Sequence, residues 1–86
     1  MAKVTIYSRK LCGYCFAARK LLEAKGVDLE EFDATFSQDL RAEMIERSGR
    51  STFPQIFVGD AHIGGYSELS ALEMNGDLDD ILARAA

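Results

Sequence analysis

Eighty-six residues suffice for one small domain with its own core, and a hydrophobic content of 48% excludes an intrinsically disordered chain. A net charge of −4 argues against a nucleic-acid binder. No apolar stretch is long enough to span a bilayer and no apolar leader precedes the first strand, so residues 1–86 are expected to form a single cytoplasmic domain without a membrane partner.

Val4 to Ser8 places Val4 and Ile6 on one face and Thr5 and Tyr7 on the other, the pattern of a central strand covered on both sides. Arg9-Lys10-Leu11-Cys12-Gly13-Tyr14-Cys15 follows and holds the only two cysteines. An amphipathic helical pattern then runs to about Lys25, with Gly26 as a stop. The cysteine pair therefore sits where a strand passes into a helix N-terminus. There, free backbone N–H groups and the positive end of the dipole are expected to favour a thiolate on Cys12, aided by Arg9 and Lys10. Cys15 falls on the stripe Cys15, Ala18, Leu22 and should be more buried, so that Cys12 acts as nucleophile and Cys15 resolves. A structural disulfide across so short a loop would remove little chain entropy. Two cysteines and the distant His62 do not make a zinc set, and Phe16 stands where c-type haem attachment requires histidine. Residues 1–25 carry a net +5 and the remainder −9, so the positive lobe surrounds the cysteines and would attract a small anionic substrate.

Val27 to Asp33 reads as a second strand, parallel to the first through a right-handed crossover. Ser37 caps a second helix to about Arg47, with Leu40, Met44 and Ile45 as its buried stripe and Gly49 as its end. Gln55 to Val58 and Ala61 to Ile63 flank the turn Gly59-Asp60 as an antiparallel hairpin. Ser67 is expected to cap a short helix carrying Leu69, Leu72 and Met74, and Asp77 to cap a last one with Leu78, Ile81 and Leu82. The fold class is α/β of thioredoxin-like type: a four-stranded mixed sheet in the order 2-1-3-4, helices on both faces, and an extra C-terminal helix. Pro54, the only proline, opens the third strand. An X-Pro bond there can be cis at modest cost, which would leave the Phe53 main chain free to pair with a peptide, but an ordinary trans proline also starts a strand and is favoured by this position taken alone. Gly64-Gly65 before a helix is a second place for close backbone approach.

Cys12-Gly13-Tyr14-Cys15, Thr52-Phe53-Pro54 and Gly64-Gly65, at these separations, resemble a glutaredoxin, and the run from Arg47 to Val58 is similar to the small bacterial dithiol members. The resemblance covers nearly the whole chain. It implies a monomeric glutathione-dependent thiol–disulfide oxidoreductase that reduces glutathionyl mixed disulfides and protein disulfides. Its partners would be glutathione, glutathionylated or disulfide-containing proteins, and a reductase needing a dithiol donor. By position, Arg9 and Tyr14 would border the glutathione groove and Arg41 would meet the glycyl carboxylate. Thr52, Phe53 and Pro54 would pair with the peptide, and Gly65, Tyr66 and Ser67 would hold the γ-glutamyl end.

Two positions depart from the family pattern. Gly13 replaces the commoner proline, and members lacking that proline include some that bridge a [2Fe–2S] cluster between two subunits through the first cysteine, here Cys12. That is the alternative reading; otherwise no metal is expected. Ser67 stands where aspartate is usual, with Glu68 as the neighbouring charge that would compensate.

Overall fold

The alternation across Val4–Tyr7 becomes β1 (Lys3–Ser8) in a computed structural model that describes residues 2–86. It is followed by α1 (Gly13–Ala24), β2 (Asp28–Asp33), α2 (Gln38–Ser48), β3 (Gln55–Val58), β4 (Ala61–Gly64), α3 (Tyr66–Met74) and α4 (Asp77–Ala85). The sheet order is β2-β1-β3-β4, as expected. β1 and β2 run parallel, and the β1–β3 and β3–β4 pairs are antiparallel.

Successive strand residues point to opposite faces, so β1 serves two cores. Val4 and Ile6, with Ile56 and Val58 of β3, pack on Ala18 and Leu22 of α1, Leu69 of α3, and Leu78 and Leu82 of α4. Tyr7 and Phe57 face the other way, onto Met44 of α2, with Phe32 and Phe53 at the margin. Each fully buried aliphatic or aromatic side chain stabilises the fold by about 1.5–3 kcal/mol, so most of the apolar gain lies on the α1, α3 and α4 side. The α2 side is held differently. The Tyr7 hydroxyl donates to Glu43 and accepts from Arg47 Nη1 at 2.9 Å, and the Arg47 guanidinium lies 4.1 Å from the centre of the Phe57 ring.

That smaller core explains why the expected α2 stripe is too wide: Met44 is buried, but Ile45 is 45% exposed. Met74, assigned to the stripe of α3, lies exposed at the end of that helix. The caps of α2 are as anticipated. Ser37 Oγ accepts the Leu40 N–H at 3.1 Å, and Gly49 closes the helix in the left-handed region at φ +72°. Two helix starts differ by one or two residues. Gly65, not Ser67, is the N-cap of α3, and Glu68 Oε1 accepts the Gly65 N–H at 2.7 Å. Gly76 caps α4, leaving Asp77 at the first helical position, where its charge still favours the dipole. The Phe53–Pro54 peptide is cis. Among the described residues, no helix is long and apolar enough to cross a membrane.

Candidate active site

β1 ends at Ser8 and the chain crosses to α1 through Arg9–Cys12. This turn is tied down from the side. The Lys10 N–H donates to Thr35 Oγ1 at 2.7 Å, and the Thr35 N–H donates to Asp33 Oδ1 at 2.9 Å. Leu11 takes a left-handed conformation, φ +55°, to complete the turn. Cys12 is the N-cap of α1: its backbone is extended and its Sγ accepts the Cys15 N–H at 3.3 Å. Sulfur thus occupies the place that a serine or aspartate oxygen usually fills, facing the orphan donors of the first turn. That turn holds no acidic residue to compete with it.

Both cysteines are free thiols, with Cys12 partly exposed and Cys15 buried beside Ala18 and Leu22. Burial pushes the Cys15 thiol up to about 12, and its hydrogen bond with Cys12 pushes the same way; the Arg9 backbone partly offsets both. One thiol is accessible and the other is held protonated.

Three stretches remote in sequence line one groove: Tyr14 of α1, Thr52-Phe53-Pro54 before β3, and Gly65-Tyr66-Ser67 at the start of α3. The rings of Tyr14 and Tyr66 stack with centres 5.8 Å apart. The Thr52 wall is fixed from beneath by Gln55, which is wholly buried. Its Nε2 donates to the Thr52 carbonyl and hydroxyl, each at 3.0 Å, leaving Oε1 to accept from His62 Nε2 at 2.7 Å. Burial, reinforced by Arg50, holds His62 below the usual histidine range and so favours its neutral form. Gly65 permits the close approach of the walls, since a Cβ there would stand 3.3 Å from the Pro54 carbonyl oxygen.

Arg9 and Arg41 do not line this groove. Arg9 borders a separate depression next to Cys12, and Arg41 lies beside Thr35–Gln38. Both guanidinium groups approach the Phe53 ring, at 6.0 and 5.7 Å from its centre. Arg41 also donates to the carbonyls of Ala34 and Thr35 at 3.0 and 3.1 Å. A further lining residue escaped the sequence reading: Arg50, whose Nη1 meets Glu68 Oε1 at 3.0 Å. Its position two residues before Thr52 was the available signal. The Gly65 N–H, then Arg50, hold the Glu68 carboxyl below its ordinary range. Among the described residues, no group of three or more His, Cys, Asp or Glu side chains is arranged to hold a metal ion.

A Cys-x-x-C turn between a central strand and a helix, in a sheet of this order, defines a thiol–disulfide oxidoreductase of thioredoxin-like fold. The glutaredoxin family model matches residues 4–63. Glutaredoxin 3 of Escherichia coli strain K12 is 48% identical over 82 residues, spanning 95% of this chain and 99% of that protein. The solution structure of glutaredoxin from Brucella melitensis is 54% identical, with a TM-score of 0.81 over 95% of this chain and 89% of that one. The crystal structure of a buckwheat glutaredoxin–glutathione complex is 25% identical, with a TM-score of 0.86 over 98% and 79%. The chain belongs to the glutaredoxin family, a family of thiol–disulfide oxidoreductases.

Proposed function

We propose that the protein uses glutathione to reduce glutathionyl mixed disulfides and protein disulfides, with Cys12 as nucleophile and Cys15 as resolving thiol. The observation that carries this reading is a partly exposed N-cap sulfur at Cys12, two residues from Tyr14, which forms one wall of the groove. The Cys12 thiolate attacks the glutathionyl sulfur of R–S–S–G, forming a Cys12–glutathione disulfide and releasing R–S⁻. A second glutathione thiolate attacks the glutathione sulfur of that disulfide, giving oxidised glutathione and restoring the Cys12 thiolate. With a protein disulfide, the first attack leaves Cys12 bonded to the partner. Cys15 then gives up its proton and attacks Cys12 Sγ, and two glutathiones reduce the resulting bridge.

In this scheme the Phe53 main chain pairs with the tripeptide beside Pro54, and Tyr14 and Thr52 flank it. The N–H groups at Tyr66 and Ser67 receive the γ-glutamyl carboxylate, as a helix N-terminus does. Glu68, held by Arg50, supplies the negative charge for the substrate ammonium that Ser67 lacks. Arg9 and Arg41 supply positive charge at the Phe53 end. The glutathione complex of the buckwheat relative supports the choice of ligand.

Turnover of a small glutathione mixed disulfide tests the division of labour. Cys12→Ser abolishes it and Cys15→Ser retains much of it; equal loss in both rejects the assignment. Cluster binding is read in the same material. A coloured dimer after anaerobic reconstitution with iron, sulfide and glutathione would mean that Cys12 ligates [2Fe–2S], the other thiolates coming from outside this chain.

A further inference from the structure

Beside Cys12 lies a second surface, outside the groove lined by Tyr14, Thr52-Phe53-Pro54 and Gly65-Tyr66-Ser67. Six large apolar residues are exposed among the described residues, and Leu11, Tyr14 and Phe16 immediately surround Cys12 in sequence. Leu11 is fully exposed although its backbone sits at φ +55°, a conformation that a leucine adopts only at a cost. No burial of its side chain offsets that cost. Leu11, Phe16 and Arg19, together with Cys12 and Cys15, line a depression of about 350 Å³. The Phe16 ring is half-exposed and flanked by the cations of Arg19 and Lys20, 5.4 and 5.5 Å from its centre. Lys10 Nζ lies 5.4 Å from the centre of the exposed Phe36 ring and extends the same face toward the β2–α2 loop. Glu31 is the one acid in the wall, and it is already engaged by Arg19 at 3.3 Å and Ser8 Oγ at 2.7 Å.

Exposed apolar side chains bordered by polar and charged groups mark an interaction surface. We propose that Leu11, Phe16, Lys10, Lys20 and Phe36 dock a polypeptide segment of the protein substrate, one in which acidic residues alternate with large apolar ones next to the cysteine being reduced. Charge complementarity selects this occupant: residues 1–25 are net +5 in a chain that is net −4. Glutathione has no large apolar side chain to place on Leu11 or Phe16. The surface therefore sets which proteins are reduced quickly, whereas the glutathione groove is common to all substrates. This rests on the oxidoreductase reading only for the reaction that the docked segment serves.

The test uses the full chain, isotope-labelled, and short peptides whose central cysteine is replaced by serine so that no exchange occurs. One peptide carries Asp and Leu around that position, a second has Lys for Asp, and a third has Ser for Leu. The acidic–apolar peptide shifts the amides of residues 10–20 and of Phe36, binds roughly tenfold more tightly than the basic one, and weakens as salt is raised. The triple variant Leu11→Ser, Phe16→Ser, Lys20→Glu loses that preference while turnover of a small glutathione mixed disulfide is unchanged.

Equal binding of all three peptides overturns the proposal. So do shifts confined to Thr52–Ser67, or concentration-dependent shifts at residues 10–20 without peptide, which would identify a second copy as the occupant. The two readings fail separately. Peptide selectivity without turnover of the small disulfide removes the oxidoreductase reading and keeps the docking surface, whereas turnover without selectivity does the reverse.

Discussion

Replacing Cys12 with serine leaves Cys15 as the single thiol, and its reactivity follows from its surroundings. At about 12, the Cys15 thiol is ionised to about one part in 10⁵ at pH 7. A free cysteine near 8.5 is ionised to about 3%, a ratio of about 3,000. Part of that deficit is returned, because a more basic thiolate is the better nucleophile. With a Brønsted slope of about 0.45, the difference in basicity restores about 40-fold. The net expectation is alkylation about 80-fold slower than a free thiol, before any steric protection is counted. Cys15 is only 2% exposed, so the observed rate should lie lower still. The figure of about 80-fold belongs to the parent: serine at position 12 removes the sulfur partner, the second cause of the shift, so the ionisation deficit shrinks in the variant, while burial, the first cause, keeps its direction.

The assay is iodoacetamide modification of Cys12→Ser and Cys15→Ser, followed by mass spectrometry between pH 5 and pH 10. Cys15 should react slowly at every pH and still be gaining rate at the alkaline end. Cys12, in the other variant, should react readily at neutral pH. Modification of Cys15 within tenfold of free cysteine at pH 7 would refute the argument. It would mean that the buried stripe of α1 opens often enough to ionise the thiol, and the asymmetry between the two sulfurs would need another origin.

Glu68 gives a second prediction. Its folded-state carboxyl is held below the unfolded range, so its contribution is present above that range and is lost as pH falls through the folded value. Glu68→Gln should cost about 0.5–1 kcal/mol at pH 7, the half-exposed ion pair with Arg50 being screened by solvent, and should flatten the acid limb of stability. Urea melts at pH 7 and pH 3 that differ as much in the variant as in the parent would contradict this. Leu22→Ala should cost about 2–5 kcal/mol in the same melts, because Leu22 is wholly buried between α1 and the sheet, and a loss under 1 kcal/mol would show the site collapsing without a cavity. Gly64→Ala should destabilise by about 1–3 kcal/mol, since φ is +122° and the new Cβ would stand 2.5 Å from Glu68 Oε1. Glu68→Ala in the same chain should recover the steric part of that loss, and strict additivity of the two would disprove the contact.

The strands and the cysteine pair were legible because each rests on a local pattern. Val4 to Tyr7 is apolar on alternate faces with no charge among them, and only a central strand buries both sides. Gly26 and Gly49 fall at helix ends with φ near +70°, as their positions implied. The misreadings share a different cause. Ile45 looked like core because a helical period admits it, but α2 rests on Tyr7 and Phe57 through Met44, Glu43 and Arg47, and that contact is too narrow to reach Ile45. Ser67 looked like a cap because serine caps well. The nearby Glu68 carboxylate reaches the Gly65 N–H, and Gly65 takes the extended cap conformation instead. Arg50 and Leu11 owe their interest to tertiary placement, one opposite Glu68 and the other on a left-handed turn; proximity to Thr52 hints at Arg50, but nothing in the sequence shows its pairing with Glu68 or the φ of Leu11.

Strand register explains why both surfaces flank the same sulfur. Tyr7 pairs with Gln55 and Ile56 with Gly64, so the end of β1, the start of β3 and the end of β4 lie along one edge of the sheet. Ser8 pairs with Asp33 in the parallel ladder, which brings the end of β2 to that edge as well. Four loops therefore emerge together: the one carrying Cys12, the one ending in Pro54, the one holding Gly65, and the one holding Thr35 and Phe36. The hairpin side supplies the groove proposed for glutathione and the parallel side supplies the Leu11–Phe36 face, with Cys12 at the head of α1. A one-residue slip of β3 against β1 would invert Ile56 and Phe57 between the two cores. The apolar pattern that builds the cores is thus also what holds the two surfaces beside the thiol, and the setting of Cys12 depends on residues as remote from it as Val58.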